Sequence, residues 1–161
     1  MAKTIMQKTV YVGAGWFTPK QEAAYKDYLE AIADNPTIYR DGCYVPLEHQ
    51  WHDIRVDEHP EYLHRKDWST ATFLGDINGI NQTDIALFAY LPSEEDVGCG
   101  VEMGYAYGIG KPIVIIMPDD EFGDGINLMS WGTATRVIKM SELADFDFNN
   151  ISYDFYDGAV Y

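Results

Sequence analysis

Two short and nearly continuous apolar runs constrain this chain more than any other feature of its sequence. They cover residues 84–90 and 113–117. Buried parallel strands have this composition, because helices cover both faces of the sheet to which they belong. Between the runs, the sequence predicts one helix that starts near Asp96, ends at Gly110 and is stopped by Pro112. A strand, a helix and a strand within about 30 residues predict a right-handed βαβ unit.

The remainder of the chain repeats this alternation. Thr18 and Pro19 provide an N-cap and a first-turn proline for a helix that runs to about Ala33. Further strands are predicted at 9–13, 39–46 and 136–140. A short helix is predicted at 127–131, followed later by a last helical turn capped by Ser141. A longer helix is predicted after Pro60 and reaches about Gly79; its apolar positions are Leu63, Trp68, Ala71, Phe73 and Ile77. Five strands that alternate with helices predict a single α/β domain over residues 1–161, a doubly wound, five-stranded, flavodoxin-like parallel sheet.

A sheet of this kind binds its ligands at the carboxyl ends of its strands, near the point where the strand order reverses. That rule selects residues 13–17, 91–102 and 118–127. The polar stretch 47–60 is long for a plain connection, so it is either a wall of the site or an ordered surface loop.

The overall charge limits the partners. The chain has 161 residues and a formal net charge of −15, which opposes binding to the phosphates of DNA or RNA. A small and nearly neutral ligand is not repelled. Aromatic residues make up 14% of the chain, which is more than a core of this size needs, and the excess favours a ligand pocket or a subunit interface.

Three features favour a location in the cytoplasm. Cys43 and Cys99 are the only cysteines and lie far apart in the sequence, as expected in a reducing compartment. Residues 1–6 lack the apolar run of a signal peptide. No stretch reaches the roughly 18 apolar residues of a membrane-spanning helix, so no membrane association is expected.

Metal and dinucleotide sites are disfavoured. The four histidines, which are His49, His52, His59 and His64, lack the spacing of a helical zinc motif, so no metal is expected. The pair Gly13 and Gly15 resembles the start of a dinucleotide fingerprint, but the third glycine is missing, and Trp16 and Phe17 would crowd a pyrophosphate. The glycines either let the backbone approach a ligand that stacks on these rings, or they form a tight turn beside two core aromatics.

Glu102 is the most informative single residue. Its neighbours along the predicted helix at positions 98, 99, 100, 104 and 106 are glycine, cysteine or alanine. A carboxylate in such small and apolar surroundings is difficult to explain structurally, so we expect a functional role. Asp76 lies in a similarly apolar stretch, and it is either a second functional acid or a solvated helix residue. Tyr11, in the first strand, is a core residue whose hydroxyl needs a partner.

At these positions the chain resembles the nucleoside 2-deoxyribosyltransferases of lactobacilli, in particular the broad-specificity class that accepts purines and pyrimidines. The resemblance covers almost the whole chain and includes separated segments at 11–17, 55–64, 94–98, 102–106, 126–132 and 154–161. It implies transfer of the 2-deoxyribosyl group from a 2'-deoxynucleoside to a free nucleobase, a reaction of nucleoside salvage, without a cofactor and through a covalent deoxyribosyl-glutamate with net retention.

The resemblance also implies roles for individual residues. Glu102 is the nucleophile, Tyr11 lies beside it, and Asp76 protonates the departing base. The substrate-binding residues that it implies are Asp96 and Asn127 for the sugar hydroxyls, Gln50 for the base, Trp16, Phe17, Trp68 and Met129 as walls, and Tyr161 through its terminal carboxylate. Gly13 is a further substrate-binding candidate, because its backbone can approach a ligand. The implied assembly is a homohexamer in which Asn127 completes the site of a neighbouring subunit.

Two alternatives remain open at this point. A deoxynucleoside N-glycosidase on the same fold would use water as the acceptor, so base release would not depend on a second base. An acidic electron carrier or a binding module would leave Glu102 without a chemical role, so its replacement would not affect function.

Overall fold

The computed structural model describes residues 6–161; residues 1–5, which belong to the segment judged not to be a signal peptide, lie outside the described residues. Four parallel strands form one sheet in the order β1-β2-β3-β4, and four α-helices connect or follow them. The strands are β1 (Val10–Ala14), β2 (Ile85–Ala89), β3 (Ile113–Met117) and β4 (Arg136–Lys139). The helices are α1 (Pro19–Asp34), α2 (Lys66–Gln82), α3 (Val97–Gly108) and α4 (Leu128–Thr133). The predicted α/β class and parallel sheet are confirmed.

Helices cover both faces of the sheet. Side chains alternate between the faces along a strand, so Val10 and Val12 pack with Tyr28 and Ile32 of α1. Tyr11 points to the opposite face, where residues of α2 and α3 complete a second apolar cluster. β2 and β3 are buried throughout, which explains why the two apolar runs lack polar alternation.

The strand predicted at 39–46 is wrong. A 3-10 turn at Arg40–Gly42 interrupts the pairing of this segment with the first strand region. It meets the first strand region only through isolated parallel bridges, at Ile38 beside Lys8 and at Tyr44 beside Tyr11. The described residues therefore form a sheet of four strands, with this segment lying along the free edge of β1.

The stretch before α2 consists of short 3-10 turns at Pro46–Glu48, Trp51–Asp53 and Pro60–His64. The helix predicted after Pro60 therefore begins only at Lys66. Of its expected apolar positions, Trp68 is buried, whereas Leu63 and Phe73 are largely exposed. All four histidines of the chain are exposed.

The other predicted helix starts are correct to within a residue. Thr18 caps α1, Asp96 caps α3 and Asn127 caps α4, each through a side-chain oxygen that accepts a backbone N–H. Ser141 is the exception, because it lies within the 3-10 turn Met140–Asp145 and donates its hydroxyl to Asp119 instead of capping that turn. Over residues 6–161, each helix is too short or too polar to cross a membrane.

Candidate active site

A pocket of about 260 Å³ opens beside the carboxyl ends of β1 and β2. Seven residues selected from the sequence line it together: Trp16, Phe17, Gln50, Trp68, Asp76, Asp96 and Glu102. Two of the three regions expected at this edge, 13–17 and 91–102, therefore contribute to it, and the loop at 46–50 supplies a wall. None of the twelve described residues that line the pocket is basic, so the site suits an uncharged ligand better than a phosphorylated one.

Glu102 reaches the pocket from the second turn of α3, and close packing holds it against β1. A Cβ atom on Gly13 would lie 3.3 Å from Glu102 Oε2 and only 2.3 Å from the ring of Phe88. Glycine at position 13 is therefore needed for Phe88 and Glu102 to approach the strand. Gly13 itself is buried beneath the pocket and is not part of its lining.

The carboxyl group of Glu102 is strongly perturbed. Burial raises its pKa to about 8, the Tyr11 phenol acts in the opposite direction, and the nearby charges of Asp76 and Asp96 raise it further. The Tyr11 hydroxyl is fully buried and close to this carboxylate, yet it makes no hydrogen bond of good geometry to any described residue. Burial and the neighbouring acids hold the pKa of Tyr11 far above its ordinary value, so the phenol remains a hydrogen-bond donor.

Asp76 projects from α2 and is the second perturbed acid. Burial raises its pKa to about 6, while a hydrogen bond from Tyr44 and the charge of His49 moderate the increase. The Tyr44 hydroxyl donates to Asp76 Oδ1 over 3.4 Å, and its ring stacks on Tyr11 with 5.8 Å between centroids. Sequence reasoning missed Tyr44, because it assigned the residue to a strand and nothing local in the sequence links it to Asp76.

Asp96 lies on the pocket wall and also begins α3. Its Oδ1 accepts the backbone N–H of Cys99 at 2.8 Å, so that oxygen is committed to the helix cap. The other oxygen has no protein partner among the described residues. Asp96 also borders a second cavity on the outer side of α3.

The remaining walls come from the loop before α2 and from the turn after β1. Gln50 is buried, and its Oε1 accepts the backbone N–H of Val56 at 2.8 Å. This contact leaves the amide NH₂ of Gln50 available. Trp16 and Phe17 stack on each other with 4.4 Å between ring centroids. Thr72, which sequence reasoning also missed, lines the pocket and has a buried hydroxyl without a partner in the described part of the chain.

Three expected site residues lie elsewhere in the single chain. Asn127 and Met129 border the second cavity, which has a volume of about 370 Å³ and lies between α3 and α4. Tyr161 lies next to it, since its hydroxyl donates to Glu95 at 2.9 Å and its main-chain oxygen accepts the N–H of Leu128 at 2.7 Å. The phenol of Tyr90 donates to the same glutamate. Within one chain, these residues do not face Glu102.

Comparison with known proteins finds relatives over nearly the whole chain. Residues 10–129 match the family model described as nucleoside 2-deoxyribosyltransferase. The chain is 57% identical over 155 residues to the nucleoside deoxyribosyltransferase of Lactobacillus leichmannii, covering 96% of this chain and 99% of that protein. It is 59% identical over 148 residues to the one of Lactobacillus johnsonii, covering 92% and 99%. The resemblance found in the sequence is thereby confirmed.

A solved structure supports the fold. The 2-deoxyribosyltransferase of Bacillus psychrosaccharolyticus superposes with a TM-score of 0.75 at 20% identity, over 92% of this chain and 98% of that one.

Proposed function

The chain belongs to the nucleoside 2-deoxyribosyltransferase family, and we propose that it transfers the 2-deoxyribosyl group of a 2'-deoxynucleoside to a free purine or pyrimidine base. The observation that carries the proposal is the position of Glu102, a perturbed carboxyl group in a pocket with aromatic walls and no basic lining residue. A nucleobase stacks on such walls, and an uncharged nucleoside needs no cationic partner.

The first half of the reaction breaks the bond between the sugar and the departing base. A carboxylate oxygen of Glu102 attacks C1' while the electron pair of the C1'–N bond moves to the base, which takes a proton from Asp76. The product is a deoxyribosyl ester of Glu102 with inverted configuration. Because a 2-deoxy sugar lacks the electron-withdrawing 2-hydroxyl, its oxocarbenium-like transition state forms more easily than that of ribose.

The second half reverses these events with a different base. A ring nitrogen of the incoming base attacks C1', the ester bond breaks, and Glu102 leaves as a carboxylate while Asp76 accepts the proton of the new base. Two inversions give net retention. Each step exchanges one leaving group for another, so no cofactor is needed.

The pKa values of the two acids are consistent with this sequence of events. The shifted pKa values, about 6 for Asp76 and about 8 for Glu102, leave one proton shared by the pair between these pH values. The reaction requires one proton on the pair, with Asp76 protonated and Glu102 ionised. The positive charge that develops on the sugar favours the ionised form of Glu102.

The walls of the pocket supply base recognition. Trp16, Phe17 and Trp68 form its aromatic sides. Since the oxygen of the Gln50 amide is held by Val56, the NH₂ group can donate to a ring nitrogen or a carbonyl oxygen. Purines and pyrimidines both carry such acceptors, which agrees with a broad base specificity.

A neighbouring subunit is proposed to complete the site. The outer side of α3 is exposed and carries Val97 and Val101 beside Gly100 and Gly104, and Met129 lies next to it with 76% of its surface exposed. A second copy packed on this face would bring its own Asn127, Met129 and terminal Tyr161 towards Asp96. Asn127 Oδ1 is occupied by the N–H of Met129, so the Asn127 NH₂ would donate to a sugar hydroxyl. A homohexamer built on such pairs is the assembly that we propose.

Mixed assemblies test the shared site. Chains carrying Glu102→Gln and chains carrying Asn127→Ala are each expected to be nearly inactive. When the two are unfolded and refolded together, some interfaces join an intact Glu102 to an intact Asn127, so activity should return. No recovery in assemblies shown by mass to be mixed would contradict the shared site.

We also propose a flavodoxin-like strand order, in which the segment beside β1 replaces a fifth strand, and a cytoplasmic location. The first is supported by the parallel bridges at Ile38 and Tyr44. The second is supported by Cys43 and Cys99, which are both buried and unpaired.

The covalent intermediate provides the decisive experiment. Brief exposure of the protein to deoxyinosine alone should add one deoxyribosyl group, which peptide mass spectrometry should locate on Glu102. The adduct should be absent from the Glu102→Gln variant. Base release that proceeds equally fast with and without free adenine would support the N-glycosidase alternative and contradict transfer.

A further inference from the structure

Gln21 is a buried polar residue that the proposed reaction does not use. It lies in the first turn of α1, is 5% exposed and does not line the pocket. Burying an amide costs free energy unless both its donor and its acceptor make hydrogen bonds. The partners of the Gln21 amide therefore show what this side chain does.

Each end of the Gln21 amide holds a different loop. Its Oε1 accepts the backbone N–H of Phe17 at 2.9 Å, and its Nε2 donates to the backbone oxygen of Glu94 at 3.0 Å. Phe17 belongs to the turn after β1, and Glu94 belongs to the loop after β2. One side chain therefore connects the loop after β1 to the loop after β2.

Both loops carry walls of the pocket. Trp16 and Phe17 are on the first loop, and Asp96 comes two residues after Glu94 on the second. The carboxylate of Glu94 accepts the hydroxyl of Thr18, which joins the same loops at a second point. Among the described side chains, however, only the Gln21 amide bonds to the backbone of both loops, so it fixes their course more directly.

Gly15 provides the space for this side chain. A Cβ atom at position 15 would lie 2.7 Å from both Cδ and Nε2 of Gln21. Real Cβ atoms are not found this close to a neighbour, so any side chain at position 15 would displace the amide of Gln21. The position of the Gln21 amide therefore depends on glycine at position 15.

We infer that Gln21 is a positioning residue, which sets the distance between the aromatic wall for the base and Asp96 at the sugar. The inference rests on the proposed function, because it assigns the base to Trp16 and Phe17 and the sugar to Asp96. Because one substrate contacts both walls at once, a change in their relative position loses contacts to the base or to the sugar and weakens substrate binding.

The first test is Gln21→Met, which keeps the length of the side chain and removes both hydrogen bonds. We expect KM for deoxyinosine and for adenine each to rise about tenfold, with kcat changed by less than about threefold. Measurements are made at a temperature where circular dichroism shows the variant fully folded. Gln82→Met, at an exposed position of α2, is the matched control and should leave both constants unchanged.

Gly15→Ala is an independent second variant, because it leaves Gln21 in place and displaces its amide. It should raise the same KM values, and the double variant Gly15→Ala, Gln21→Met should be no worse than the single ones. KM values within twofold of wild type in folded Gln21→Met or Gly15→Ala would overturn the inference. Failure of the wild-type chain to exchange bases would instead overturn the proposed function.

Discussion

Glu121 and Glu102 are both withdrawn from solvent near the same edge of the sheet, but only Glu121 has strong partners. It accepts hydrogen bonds from Lys20 and from the backbone and hydroxyl of Ser93. Burial alone would raise the pKa of Glu121, but these bonds outweigh it and hold the pKa below its ordinary value. The Tyr11 phenol is the one donor near Glu102 among the described residues, and burial together with the charges of Asp76 and Asp96 raises the pKa of Glu102 to about 8.

The contrast separates a carboxylate that stabilises the fold from one that is available for chemistry. Glu121 is ionised and fully paired, so it joins α1 to the loops after β2 and β3. Glu102 is kept without such bonds, and its ionised form regains favourable interactions only when positive charge develops beside it. Both carboxyl groups are withdrawn from solvent. The number of hydrogen-bond donors beside each one decides whether its pKa is lowered or raised.

The largest effect is expected when the same chemical change is made at both positions. Glu102→Gln removes the nucleophile and should lower the initial rate of conversion of deoxyinosine and adenine into deoxyadenosine by at least about 10⁴-fold. Glu121→Gln should lower it by less than about threefold. Similar losses in the two variants would show that transfer needs Glu121 as much as Glu102.

Asp76→Asn should have the next largest effect, because it removes the proton donor and keeps the shape of the side chain. We expect transfer from deoxyinosine to fall about 10²- to 10³-fold. A 7-methylated purine deoxynucleoside already carries a positive charge on its base and needs no proton to leave. Its rate of adduct formation should therefore fall far less, and equal losses with the two substrates would exclude Asp76 as the acid.

The dependence of stability on pH should differ in sign between the two glutamates. The folded-state pKa of Glu102 is raised to about 8 from 4.5. The folded chain therefore binds more protons than the unfolded chain between these values, and stability falls as the pH rises. Glu102→Gln removes this loss, so its gain over wild type should grow from near zero at about pH 4.5 to about 2–4 kcal/mol at pH 8. Urea unfolding at several pH values measures it, and a gain independent of pH would contradict the assignment.

Glu121→Gln should have the smallest effect and the opposite direction. Its lowered pKa contributes stability that is present above the ordinary pKa and is lost as the pH falls. We expect the variant to be about 1–2 kcal/mol less stable than wild type at pH 7. The deficit should shrink below about pH 4.5, and a deficit that persists unchanged in acid would show that packing, not charge, is responsible.

The sequence predicts the sheet better than it predicts its edge. The runs at 84–90 and 113–117 became β2 and β3, because full burial leaves an unmistakable apolar signal. Residues 39–46 have a similar local composition, but the turn at Arg40–Gly42 prevents continuous pairing with β1. Whether an edge segment pairs depends on contacts distant in sequence, and a local pattern does not contain them.

Some residues of the site can likewise be predicted from the sequence, and others cannot. Glu102 stands out in the sequence because a carboxylate among small and apolar residues is unusual, whereas for Asp76 the same argument left a solvated helix residue as an equal alternative. Gln21, Tyr44 and Thr72 do not stand out, because an amide or hydroxyl near a strand or helix is common, and only the folded chain shows which of them meets a loop or an acid. The roles of Asn127 and Tyr161 were expected from the resemblance alone, and the single chain places Asn127 at the cavity beside α3 and Tyr161 next to it.

The loop after β2 carries three consecutive acids, and each accepts hydrogen bonds from different partners. Glu94 binds Thr18, Glu95 binds Tyr90 and Tyr161, and Asp96 caps α3 at the wall of the pocket. One inserted or deleted residue here would move each acid onto its neighbour's partner and disturb all three contacts together. We therefore expect the length of this loop to stay fixed among related chains.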